Sequence, residues 1–93
     1  MGKWTKKWET DRRNLKEIYN DKWITSCEAQ LPGCMRNNFL SFHHRHKRKF
    51  YKERGNEDLL GEFNQTILIC ANCHDKLEDD RKATREIFSQ LRD

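Results

Sequence analysis

Four cysteines and four histidines hold most of the reactive chemistry of this 93-residue chain. Cys27-x6-Cys34 and Cys70-x2-Cys73 are two pairs separated by a hairpin-sized segment. Under reducing conditions such pairs favour Zn²⁺, which takes four thiolates in a closed tetrahedral site and contributes directly to folding. The second pair has tight knuckle spacing. The first is wider than the usual spacing of about two to four residues, and Pro32-Gly33 supplies a turn that can bring its sulfurs to one metal. Two disulfides, or free buried thiols, are the other states these cysteines allow. Four thiolates fill zinc's coordination sphere, which leaves His43, His44, His46 and His74 uncommitted. A metal that joins the two cysteine pairs also draws His74, next to Cys73, against the His43-His44 doublet, as a second, open metal site requires. Solvated surface histidines are the plainer alternative.

Positioning these groups requires strands and helices. Trp4, Trp8, Leu15, Ile18 and Tyr19 share one face at 100° per residue, predicting an N-terminal helix within residues 1–24. It ends at Asn20-Asp21 or runs on to Trp23. Phe39-Leu40-Ser41-Phe42-His43-His44 reads as a short strand ending in polar residues, and Thr66-Ile67-Leu68-Ile69 as the returning strand. Between them, residues 45–58 read as a long charged connection containing Gly55-Asn56. A helix begins near Asn72 or Cys73 and carries His74 and Leu77. Asp79 or Asp80 can cap a second segment in which Ala83, Ile87, Phe88 and Leu91 share a face, so the pattern allows one helix or two. The expected architecture is a small zinc-stapled α+β domain spanning 1–93. Its parts are an N-terminal helix (1–24), a metal-bound core (27–76) and a C-terminal helix (77–93).

Composition limits the function classes. With 34 % hydrophobic and 37 % charged residues the core is thin, while 11 % aromatics disfavour simple disorder. The longest aliphatic run, Ile67-Leu68-Ile69, is far short of the ~20 apolar residues of a membrane span, and the basic N-terminus lacks the apolar stretch of a secretory signal. The expectation is a cytoplasmic protein with reduced thiols and no membrane partner. Charge is uneven: residues 1–26, 27–56 and 57–93 carry +3, +5 and −4. Such a basic middle attracts polyanions, nucleic acid first among them. Arg45, Lys47, Arg48, Lys49, Lys52 and Arg54, interleaved with Phe50 and Tyr51, fit phosphate contacts along a nucleic-acid backbone and imply weak sequence preference. Alternatively the cations are solvated and the aromatics cover the zinc knuckle.

The segment Ile67-Leu68-Ile69-Cys70-Ala71-Asn72-Cys73-His74-Asp75-Lys76, with Phe42-His43-His44 and the upstream cysteine pair, resembles the HNH endonuclease family. The resemblance covers Cys27 to Lys76, about half of the chain, and implies a ββα-metal finger. It makes His44 the general base that takes a proton from the attacking water. It makes His43 and His74 ligands of a catalytic divalent ion, Mg²⁺ in the first place, with Mn²⁺, Ni²⁺ or Co²⁺ as softer alternatives. The implied activity is metal-dependent hydrolysis of DNA phosphodiester bonds, declining on the acid side around pH 6–7. The family's middle Asn is expected about nine residues before the final His, where this chain has Gln65. Asn64 is preferred for that role, restored by a one-residue bulge in the second strand, with Gln65 as the alternative. His46 has no counterpart and is a substrate contact, an alternative ligand or a solvated residue. Small stand-alone members of the family are common in bacteriophages, which would place the protein in a host cytoplasm. So small a chain has little surface for reading sequence, so a protein partner that targets it is expected. The competing function is a catalytically silent zinc-finger module that binds nucleic acid or a protein.

Overall fold

The computed structural model describes residues 6–93; Trp4, which the sequence places on the apolar face of the first helix, lies outside them. Helix α1 runs over Lys6–Asp21 and buries Trp8, Leu15 and Tyr19, with Ile18 half-buried beside them. It stops before Trp23. The Ile24 amide reaches back to the Tyr19 carbonyl at 2.9 Å and the Trp23 amide to that of Asn20 at 3.0 Å. Trp23 takes the left-handed conformation (φ 62°). This is a Schellman closure with an aromatic residue where glycine is usual, and Ile24 packs against the same core as Tyr19.

Strand β1 (Ser41–His44) pairs antiparallel with β2 (Thr66–Ile69). The returning strand lies where its aliphatic run predicts. The first is shorter than expected, because Phe39 sits at φ 53° and is exposed, so the extended backbone begins only at Ser41. The register sets Ser41 opposite Ile69, Phe42 opposite Leu68, His43 opposite Ile67 and His44 opposite Thr66. No bulge interrupts it.

The expected charged connection, 45–58, contains helix α2 (Arg48–Glu53), and two 3₁₀ turns, Glu57–Gly61 and Phe63–Gln65, lead from it to β2. Six residues cannot sustain a helix in water; α2 is held by Tyr51, its one buried residue. Gly61 closes the first turn against α1, where an added Cβ would lie 2.9 Å from Asp11 Cγ. The C-terminal part is two helices rather than one over 77–93: α3 (Ala71–Glu78) and α4 (Arg81–Leu91). Asp80 makes the break, its carboxylate accepting from the Ala83 amide at 3.0 Å and capping α4.

The sheet separates two small cores, because strand side chains alternate between faces. Ile67 and Ile69 pack with the cysteines, Leu77 and Phe88, while Leu68 joins Trp8, Leu15, Tyr19, Tyr51 and Leu60. Arg92 fastens the end of the described chain across them. Its Nε donates to the carbonyls of Thr66 (3.0 Å) and Phe63 (3.2 Å), and its Nη2 to Glu28 Oε1 (2.7 Å) and the Tyr19 hydroxyl (3.1 Å). No described helix is long and apolar enough to cross a membrane.

Candidate functional site

Cys27 and Cys34 lie on the loop before β1, and Cys70 and Cys73 frame the start of α3. All four thiols are free and their sulfurs lie within 4.8 Å of one another, a cluster that can hold a metal ion such as zinc. The donor set fits that ion. Zn–S bonds of about 2.3 Å place tetrahedral sulfurs about 3.8 Å apart, and Cys34 Sγ lies 3.9 Å from Cys70 Sγ. Backbone amides are already aimed at the sulfurs: Met35 and Cys73 donate to Cys70 Sγ at 3.2 and 3.5 Å, and Arg36 to Cys34 Sγ at 3.3 Å. Burial opposes the Cys70 thiolate, but these amides outweigh it and bring the thiol down to about 6, while burial pushes Cys73 up to about 12. Gly33, at φ +84°, makes the turn that joins the wider pair. The Asn72 side chain donates to the Pro32 carbonyl at 3.1 Å, tying that turn to α3.

The two adjacent histidines of β1 go to opposite faces of the sheet. His43 is buried against Phe88 and meets His74 edge-on, with ring centroids 5.2 Å apart. Its Nε2 lies 3.3 Å from Thr84 Oγ1. The Thr84 hydroxyl spends its one proton on the Leu77 carbonyl at 2.8 Å, so it can only accept from His43. This assigns the proton to Nε2 of His43 and leaves Nδ1 as a lone pair. Burial first, then the positive charges of His74, Arg81 and His44, lower His43 to about 4, so the ring is neutral at pH 7. His44 packs against Trp8 at 5.0 Å and donates Nε2–H to the Leu60 carbonyl at 2.9 Å. Its Nδ1 is therefore also a lone pair. Burial lowers its pKa, and Arg48 adds to that against the opposing Leu60 hydrogen bond.

Asn64 and Gln65 lie just before β2 and have different surroundings. With no bulge in the β1–β2 ladder, Asn64 is exposed and offers its backbone carbonyl to Arg45 at 3.1 Å. Gln65 performs the pinning: its Oε1 accepts from the Tyr51 hydroxyl at 2.8 Å, and that hydroxyl accepts from the His46 amide at 3.2 Å. The His46 ring itself is exposed and lies 4.2 Å from that of Phe50.

The basic residues divide. Arg45 is not an open phosphate contact, because Asp93 holds its guanidinium by two bonds of 2.8 and 3.1 Å. Lys47, Lys49, Lys52 and Arg54 are exposed on and beside α2, and Arg48 is half-buried. Arg54 lies over the Phe50 ring at 4.5 Å, and Lys49 makes an exposed pair with Glu53 at 3.9 Å. Phe50 and Tyr51 thus cover His46 and His44 rather than the zinc knuckle.

Several contributors escaped the sequence reading. His74, Asp75 and Glu78 place potential ligand atoms within 4.8 Å of one another; His74-x3-Glu78 at helical spacing was a readable signal. Thr84 and Arg81 lie on α4, whose apolar stripe is legible although their own partners are not, and the Leu60 carbonyl belongs to a 3₁₀ turn that no local pattern announces. Compared with protein-family models, curated proteins and solved structures, the chain matches none of them.

Proposed function

We propose that this protein is a metal-dependent endonuclease of the HNH type that hydrolyses DNA phosphodiester bonds. The observation that carries the reading is the division of the His43-His44 doublet: His43 meets His74, and His44 is tethered through Nε2 to Leu60, each with Nδ1 left as a lone pair. A ligand histidine whose other nitrogen donates to a fixed acceptor is the arrangement metal sites use, and Thr84 supplies that acceptor for His43. Glu78 and Asp75 group with His74 and would supply the oxygen ligands that Mg²⁺ or Mn²⁺ favours over imidazole alone. When bound there, a divalent cation supplies charge stabilisation at the phosphate and its leaving oxygen.

His44 performs the proton transfer. Its Nδ1 takes a proton from water as the water oxygen bonds to phosphorus. The bond from phosphorus to the leaving oxygen then breaks, and that oxygen takes a proton from solvent. The Leu60 carbonyl fixes the tautomer and stabilises the imidazolium that forms, as an orienting acceptor does for other histidine bases. A zinc held by Cys27, Cys34, Cys70 and Cys73 would take no part in the step; it would staple the loop of Cys27 and Cys34 to α3, which carries His74.

A plasmid-nicking assay with Mg²⁺ or Mn²⁺, and with chelator, tests the reading. The parent should nick only with metal. His44→Ala should keep zinc, helical content and DNA binding while losing about 10²–10⁴-fold in rate, the usual contribution of a general base. The second reading, a silent zinc-stapled module that binds nucleic acid or a protein, is favoured by the replacement of the expected Asn by a Gln65 already engaged with Tyr51. It predicts DNA binding without nicking under any metal. A His44→Ala protein as active as the parent would overturn the assignment of the base.

A further inference from the structure

We propose that Arg81 is the phosphate-gripping cation of the histidine site, closing a bidentate fork on the non-bridging oxygens of the substrate phosphodiester. The inference rests on the nuclease reading and names a residue the basic run 45–54 does not contain.

Arg81 is the first residue of α4 and is half-buried. Its Nη2 donates to the carbonyl of Arg45, the residue directly after His44, at 2.6 Å. The guanidinium is thereby fixed at the end of β1, where the histidine doublet leaves the sheet. Its charge is felt at His43, His46 and Tyr51, the groups that surround that end of the strand. Among the described residues the bond to Arg45 is the only hydrogen bond this guanidinium makes, and no carboxylate pairs with it. Among the described residues the one buried side-chain nitrogen or oxygen without a partner is Nε of Arg45, so the remaining Arg81 donors are not buried and unpaired.

The contrast with its neighbours is informative. Arg45 is held by Asp93, and Arg92 is saturated by Glu28, Tyr19 and backbone carbonyls. Arg81 has the same planar donor array, is oriented by one fixed acceptor, and keeps its other edge open. A half-buried cation without a counter-charge is costly unless an anion completes it. The planar fork matches a phosphate better than a point charge does. Its place beside His43 and the end of β1 puts that anion at the edge of the sheet face that carries His43 and His74.

Arg81→Gln separates gripping a phosphate from merely bracing the Arg45 carbonyl, because glutamine keeps an N–H donor and loses the charge. Binding of a short fluorescein-labelled DNA duplex is measured by anisotropy across a salt series without added divalent cation, and plasmid nicking with Mn²⁺. Arg81→Gln and Arg81→Ala should each flatten the log Kd against log[salt] slope by about 0.9. Both should lose about 10²-fold or more in kcat, and Arg81→Lys should regain the slope but only part of the rate. Arg45→Ala should leave the slope unchanged. Unfolding midpoints of the zinc-loaded variants show whether the fold is intact. A folded Arg81→Gln with parental slope and rate overturns the inference while leaving the nuclease reading standing, as does a parent that nicks DNA equally well with Arg81→Ala. A parent that never nicks, but whose salt slope still falls on Arg81→Gln, supports the phosphate contact and removes the nuclease. A parent that does not bind DNA overturns both.

Discussion

Replacing Arg92 by methionine should be among the most damaging single changes outside the cysteines. The side chain is 4 % exposed and its ion-pair partner Glu28 is 10 % exposed, with 2.7 Å between Nη2 and Oε1. Methionine keeps much of the volume but leaves Glu28 buried with only the Leu68 amide (2.8 Å) as donor. It also deprives the Phe63 and Thr66 carbonyls of the Nε donor they share. Removing one partner of a buried pair costs about 3–5 kcal/mol. A domain of this size has roughly 5–14 kcal/mol in total, so Arg92→Met should remove about a fifth of it or more. Urea unfolding of the zinc-loaded protein, followed by far-UV circular dichroism with metal content checked, measures the loss. Glu28→Gln in the same background tests the mechanism: once Arg92 is gone, neutralising Glu28 should recover at least about 1 kcal/mol, because contacting residues couple. An Arg92→Met protein within about 1 kcal/mol of the parent, or a strictly additive double mutant, would refute the reasoning.

Three further outcomes follow from the geometry. Burial places the folded-state pKa of His44 below its ordinary 6.5, so under the proposed role its ring stays neutral as pH falls through 6.5 and the acid limb of the rate profile should be centred below that value; a limb centred above pH 7 would argue against His44. Cys70→Ser should lose bound zinc and unfold the domain, read by metal analysis and circular dichroism, since Cys70 lies at the centre of the amide–sulfur network; a folded, zinc-loaded variant would contradict that. Lys47→Ala with Lys52→Ala removes two exposed cations flanking the histidine site, and should flatten the salt dependence of DNA binding by about 1.8 units while leaving the unfolding midpoint unchanged; an unchanged slope would move the nucleic-acid surface off α2.

What the sequence made legible was local. Thr66–Ile69 reads as a strand because four consecutive residues are buried on both faces, and the cysteine spacing alone groups four sulfurs that the fold does bring together. The apolar stripes of α1 and α4 also emerge from periodicity. Helix α2 does not, because its apolar residues Phe50 and Tyr51 are adjacent and set no period, and only Tyr51, inserted between His44 and Gln65, holds it. The loss of Arg45 to Asp93 is a contact across 48 residues that charge counting has no means to see. The Gln65 contact was not legible for a similar reason: its partner is the Tyr51 hydroxyl, and side-chain partners depend on tertiary placement rather than motif register. The break at Asp79-Asp80 was ambiguous because a single apolar face continues across it, and the Asp80 cap decides it.

The strand carrying His43 and His44 gives identical side chains to neighbouring positions, so chemistry alone cannot tell them apart. What distinguishes them is the pleat, which sends one ring toward Thr84 and His74 and the other toward Leu60 and Trp8. A slip of one residue against β2 would send each ring to the opposite face of the sheet without changing a single amino acid. Only four residue pairs fix that alignment, and a lone pair of strands is marginal in water. The fidelity of the site therefore belongs to the parts that grip the sheet from either side: the cysteine cluster, reaching β2 through Cys70, and the Arg92–Glu28 clasp. Loosening either would weaken the one constraint that keeps each histidine on its own face of the sheet.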